Sequence, residues 1–370
     1  MDKISSKHLI VIALGLCVVS LKTYPIILLQ TGHADTWICL IIASILILFF
    51  TYYIFKICKN RNCFSIVDIY YCSMGKHFGK FLILLLLITY YLTLVESSCI
   101  EANSLHTNLL FSTPTWFFVL FLTVPALYSV RKGKISVIII TTIGITLIIF
   151  AGINLGILTS SYKHYKNLFP VLVNGLSKDV IYTTIKSLGL YSFIFVAIPF
   201  ARDVDNKSKL MRDLLIGMLL VVQMEVYSMI GIIATFGWTR AAVISYPKLI
   251  QTQEVSYFGF LESGEFYVML QIVGGWYIKY ILVFYSMLQV LKHWTKLTKY
   301  MPYIITLLVV IPSLYISKNI FLLFKILNYF SYICVTNFII IPLIVFTIYN
   351  IKTKKLKFKE SSEEKGAEVK

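Results

Sequence analysis

The stretch Val18-Val19-Ser20-Leu21-Lys22-Thr23-Tyr24-Pro25 puts a lysine and a proline inside the first membrane-length apolar segment. That segment, residues 8–30, spans about 34 Å as a helix, enough to cross the hydrocarbon core of a bilayer. Within it Pro25 removes an amide donor and crowds the preceding turn. Lys22 costs about 2.5–3.5 kcal/mol at a helix centre on insertion scales. One reading is a proline-kinked helix whose lysine, about 22 Å along the axis from Lys7, snorkels to a headgroup or meets an unrelated acid. The other is a discontinuous helix whose freed backbone groups and half-helix ends line a cavity. The rest of the sequence favours the second.

Hydrophobic residues make up 58% of the 370, aromatic residues 15% and charged residues 14%, which excludes an ordinary soluble domain and indicates a polytopic helical membrane protein. The net charge of +17 is spread in small groups between apolar segments, the pattern of topology signals and not of a nucleic-acid surface. No A-x-A-like cleavage site follows the first segment, so it is read as retained. The seven cysteines form no disulfide framework. Cys58, Cys63 and Cys72 near His77 have spacings that fit no paired zinc pattern, and no metal or cofactor is expected. No H-E-x-x-H or G-x-S-x-G occurs and the histidines are scattered, so a membrane-embedded enzyme has little support.

Ten apolar segments can be marked: 8–30, 37–57, 81–102, 115–130, 135–158, 181–200, 211–236, 265–291, 301–316 and 327–350. The fold predicted is therefore an all-α integral membrane protein of ten transmembrane helices forming one domain, 1–350, with a disordered, lysine-rich and then acidic cytoplasmic tail, 351–370. Of 34 Lys and Arg, 24 fall on the side that includes Lys3, Arg61, Arg131, Arg202, Lys292 and the tail, and 8 on the other. Both termini are thus expected in the cytoplasm. The long connection 237–263 is expected to contain a short interfacial helix.

Lys22, Lys279, Glu96, Glu101 and Glu225 lie within apolar segments, where ionisable groups usually face a bundle interior or cavity. By helical rise from the cytoplasmic ends, Lys22 and Glu96 reach about 22 and 24 Å, and Glu225 and Lys279 about 18 and 20 Å. Two pairs at matched depth result: Lys22 with Glu96, and Glu225 with Lys279 as a buried charge pair. Lys279 is alternatively a fixed cation of the permease fold. Glu101, near the outer end, is read as a solvated face.

Several stretches, in order, resemble the B subunit of GerA-type spore nutrient germinant receptors, a branch of the amino acid/polyamine/organocation permease superfamily. They are Lys3-Ile4-Ser5-Ser6, Gly32-His33-Ala34-Asp35-Thr36-Trp37, and Ser73-Met74-Gly75-Lys76-His77-Phe78-Gly79-Lys80. Thr113-Pro114-Thr115-Trp116, Arg131-Lys132-Gly133, and Asn167-Leu168-Phe169-Pro170-Val171-Leu172 with Asn174-Gly175 continue the series. Tyr246-Pro247-Lys248-Leu249 and Trp276-Tyr277-Ile278-Lys279 complete it.

The resemblance implies two five-helix repeats of inverted topology, about 8–158 and 181–350, with the first and sixth helices broken near midplane. The sixth segment has Ser187-Leu188-Gly189-Leu190-Tyr191-Ser192 at the corresponding place. Gly189 there either permits unwinding or allows close helix packing. Family first segments often carry glycine before the break, where this chain has Val18, Val19 and Ser20.

The function implied is a nutrient-sensing, permease-like subunit of the spore inner membrane, acting with A and C subunits. Its ligand would be a small nutrient such as an amino acid, held by Ser20, Lys22, Thr23, Tyr24, Glu96, Ser187, Gly189, Tyr191 and Ser192. The alternative is a stand-alone amino acid transporter of the same fold. The charge asymmetry predicts that single cysteines placed in 162–178 and 237–263 are labelled by an impermeant maleimide from outside. Protection of both, with labelling of Cys63, reverses the orientation.

Overall fold

The computed structural model describes residues 3–173, 175–253, 265–294 and 299–353. Among them every element is helical, save one isolated parallel bridge between Ile4 and Val204. In chain order the helices are α1 (His8–Cys17), α2 (Pro25–Gly32), α3 (Thr36–Arg61), α4 (Ile66–Met74), α5 (Lys76–Asn108), α6 (Thr115–Arg131) and α7 (Lys134–Leu158). They continue as α8 (Lys178–Tyr191), α9 (Ile198–Ala201), α10 (Lys207–Ala241), α11 (Pro247–Gln253), α12 (Glu265–Trp294), α13 (Met301–Ile316) and α14 (Ile320–Val335). Among the described residues, seven stretches are long and apolar enough to cross a membrane: Pro25–Arg61, Lys76–Asn108, Lys134–Leu158, Lys178–Ala201, Lys207–Ala241, Tyr267–Trp294 and Ile320–Thr353. His8–Ser20, Thr115–Arg131 and Met301–Ile316 are shorter apolar helices. Large apolar side chains such as Phe49, Phe121, Phe150 and Phe321 point outward, as a lipid surrounding requires.

Local chemistry places the helix ends. Ser177, Asn206 and Asn319 each accept a backbone N–H in the first turn of α8, α10 and α14. Pro25 falls at the start of α2, where its missing N–H would have had no helical partner. The first apolar segment is accordingly not one helix. A tight 3-10 stretch, Val18–Lys22, separates α1 from α2.

The basic connections meet at one end. Ile4 N–H donates to the Asp203 carbonyl and Asp205 N–H to the Ile4 carbonyl, each at 3.0 Å. Lys134 pairs with Asp203 at 2.8 Å, Arg61 reaches the Asn350 carbonyl, and Lys352 reaches the Ser73 carbonyl. At the opposite end Leu172 N–H donates to Asp35 at 2.6 Å, and Tyr246 donates to Asn103, whose amide donates to the Ser317 carbonyl. Burial pushes the Tyr246 phenol up.

Two expectations need correction. Glu101 is no solvated face: it is 1% exposed, because its neighbours Ala102 and Leu105 pack against Phe118 and Val119 of α6 and enclose that end of α5. The second interruption is also displaced from 187–192. Helix α8 stays regular through Tyr191, and the 3-10 stretch is Ser192–Ala197, followed by α9. Gly189 serves close packing, since a Cβ there would stand 2.5 Å from the Ser331 carbonyl oxygen of α14. In the 237–263 connection α11 is a short helix, and 254–264 lie outside the described residues. The tail expected to be disordered lies outside them from residue 354 onward.

Gly189→Ala should therefore force α8 and α14 apart at a cost of about 1–3 kcal/mol. Its measure is a lowered melting temperature of the purified protein. Gly156→Ala, whose Cβ would meet only Tyr227 at an ordinary 3.6 Å, should be neutral or stabilising.

Candidate functional site

The two interruptions are built alike. Ser20 donates to the Cys17 carbonyl at 2.5 Å, and Ser192 donates to the Gly189 carbonyl at 2.7 Å. In each case a serine hydroxyl takes the carbonyl three residues back, satisfying an acceptor where the helical ladder tightens. Each chain then resumes as α-helix at a proline, Pro25 in α2 and Pro199 in α9. The two interrupted helices meet at these points: the Cys17 thiol at the end of α1 contacts the Tyr191 carbonyl at the end of α8 at 3.7 Å, and the second 3-10 stretch packs directly on α1.

Between them lies a buried ion pair. The Lys279 ammonium, with no exposed surface, is 2.9 Å from Glu96 Oε2, and the Glu96 side chain is 2% exposed. Tyr24, two residues past the first interruption, donates to Glu96 Oε1 at 2.6 Å. Lys279 Nζ sits 3.6 Å from the ring centre of Phe193, in the second interruption, and 4.9 Å from that of Trp276. The ammonium thus has a carboxylate on one side and aromatic faces on others, an arrangement that suits a desolvated cation. Phe193 is itself braced by Phe338 in a π-helical turn, Thr336–Ile340, that interrupts the last long helix.

Depth alone assigns Lys279 to Glu225. The structure instead gives Lys279 to Glu96, because helical rise fixes height and not direction. Helix α12 packs along α5, which carries Glu96, whereas α10, which carries Glu225, packs along α1 and α3 and against the first interruption. The expected contact of Lys22 with Glu96 falls on a side chain outside the described part of the structure, although the Lys22 backbone closes the first 3-10 stretch.

Of the other expected residues, Tyr191 is buried, with its hydroxyl 3.1 Å from Ser44 Oγ. Ser187 donates to the Thr183 carbonyl within α8. Among the described residues, Thr23 Oγ1, next in sequence to Tyr24, and Nε1 of Trp276, whose ring lies by Lys279, have no hydrogen-bond partner. Gly275 lets α12 approach the first interruption closely, since a Cβ on it would stand 2.6 Å from Val19 Cγ2. Phe193 and Trp276 were not singled out as site residues in the sequence. The i, i+3 spacing of Trp276 and Lys279 on one helix face was the available signal.

Comparison with known proteins identifies the family. Residues 3–319 match the spore permease family of spore germination proteins. The chain is also similar to spore germination protein XB of Bacillus anthracis, 22% identical over 274 residues that cover 72% of this chain and 74% of that protein. With that match extending over nearly all of its apolar helices, the chain belongs to the spore germination protein family and is an integral membrane protein.

Proposed function

We propose that this chain is the nutrient-sensing, permease-like subunit of a spore germinant receptor. It works beside A and C subunits in the spore inner membrane and binds an amino acid where its two interrupted helices meet. The observation that carries this reading is that contact, with a fully buried ion pair between the two 3-10 stretches. Ten crossings in two inverted five-helix repeats, 8–158 and 181–350, are supported by the sorting of connections onto two ends. They are supported further by the matching serine-to-proline interruptions, one in each half. Interrupted helices present amide and carbonyl groups outside the regular ladder, which suit the charged groups of an amino acid. Binding triggers germination by favouring one of two receptor states, which requires different affinity for each.

Thr23 is the most direct probe, because its hydroxyl has no partner among the described residues. Thr23→Val would remove a ligand contact without breaking a hydrogen bond to any described residue, and Lys22→Met removes the charge next to it in sequence. Both should raise the amino acid concentration for half-maximal germination at least about tenfold at equal protein level, the loss of one hydrogen bond or more. Wild-type responses from both variants place the ligand elsewhere. Co-purification of A and C subunits with this chain separates the receptor from a stand-alone transporter.

A further inference from the structure

We infer that Glu96 and Lys279 are the two poles of the ligand site, and that an amino acid binds by entering between them, its ammonium on Glu96 and its carboxylate on Lys279. The inference rests on the proposed ligand site and names the side chains that read the ligand's charges.

The pair stands where a ligand between the interruptions has to go. Its walls come from both: Tyr24 holds Glu96 from the first, and the Phe193 ring covers Lys279 from the second. Neither charge has water to turn to, since both side chains are essentially fully buried. A neutral nutrient that parts them leaves two uncompensated charges in a medium of low dielectric, and a singly charged one leaves one. A zwitterion leaves none. The site carries zero net charge before and after, and each pole exchanges one opposite charge for another.

The unsatisfied groups nearby fit the same ligand. Thr23 Oγ1 and Trp276 Nε1 have no partner among the described residues and would supply donors for the lone pairs a carboxylate retains beside an ammonium. The aromatic faces of Phe193 and Trp276 keep Lys279 in place once Glu96 has turned to the ligand. Entry of the ligand also separates Tyr24 with Glu96 from Phe193 with Lys279. The spacing of the two interruptions then differs between empty and bound states, the differential interaction a sensor needs.

The test uses the purified full chain in detergent, with thermal stabilisation as the readout of binding. The twenty proteinogenic L-amino acids and D-glucose are screened. The most stabilising amino acid is then compared with its decarboxylated amine and its deaminated acid. The amino acid should half-saturate at a concentration on the order of 100-fold below either monopole, as the cost of an unpaired buried charge dictates. A ratio below about tenfold overturns the inference. Glu96→Gln should move the preference toward the acid and Lys279→Met toward the amine, while Glu96→Gln with Lys279→Met should accept neither charge. Folded variants that keep the wild-type order overturn it as well. If the single variants do not fold, the wild-type ratio decides alone. Stabilisation by an amino acid with an unaltered order in the variants removes this inference and leaves the ligand site standing. Stabilisation by D-glucose alone, or by none of the probes, removes both.

Discussion

The Lys279 ammonium is held in the interior of a membrane protein with no exposed surface of its own, and the surrounding architecture follows from keeping it satisfied. An isolated charge there would be too costly to keep, so Glu96 must face it, Tyr24 must hold the second carboxylate oxygen, and aromatic rings must cover the remaining directions. These groups come from α12, from α5, and from the chain at each interruption. A single electrostatic requirement therefore ties together four separate parts of the fold.

The interruptions face a second requirement, that backbone polar groups find partners where water is scarce. Both meet it in one way, with a serine hydroxyl on the carbonyl three residues back at the entrance and a proline, which has no N–H to satisfy, near the exit. Residues between these points escape the regular ladder without leaving an open helix end. Aromatic packing then fills the space: Phe338 meets both Phe193 and Phe195, so the π-helical turn in the last long helix braces the second interruption.

Much of the fold was legible because it is encoded along one dimension. Apolar runs located the long helices, some with ends five to seven residues short and with α4 in none of them, and Pro25 with Lys22 marked the first interruption. The partnership of Lys279 was not legible, because rise per residue gives height while the direction of a side chain depends on which helices pack together. Glu101 shows the same gap: nearness to a segment end says nothing of the α6 side chains that enclose it. Gly189 had two readings in the sequence, unwinding or close approach, and only the position of the Ser331 carbonyl separates them. Thr23 and Tyr24 were recognised through the proline that follows them. Phe193 was missed because an aromatic in an apolar segment has no local signature until a cation lies over its ring, whereas Trp276 had only its i, i+3 spacing from Lys279 to mark it.

The latch at the basic end has a mechanical consequence. Ile4 exchanges two backbone hydrogen bonds with the segment just after α9, and Ser6 donates to Asp213 at 2.6 Å at the start of α10. The halves of both interrupted helices that lie at the basic end, α1 and α9, are thereby yoked, so a tilt of one would be transmitted to the other. Beyond the 3-10 stretches, α2 and α8 pack on each other and carry no such backbone tie to Ile4.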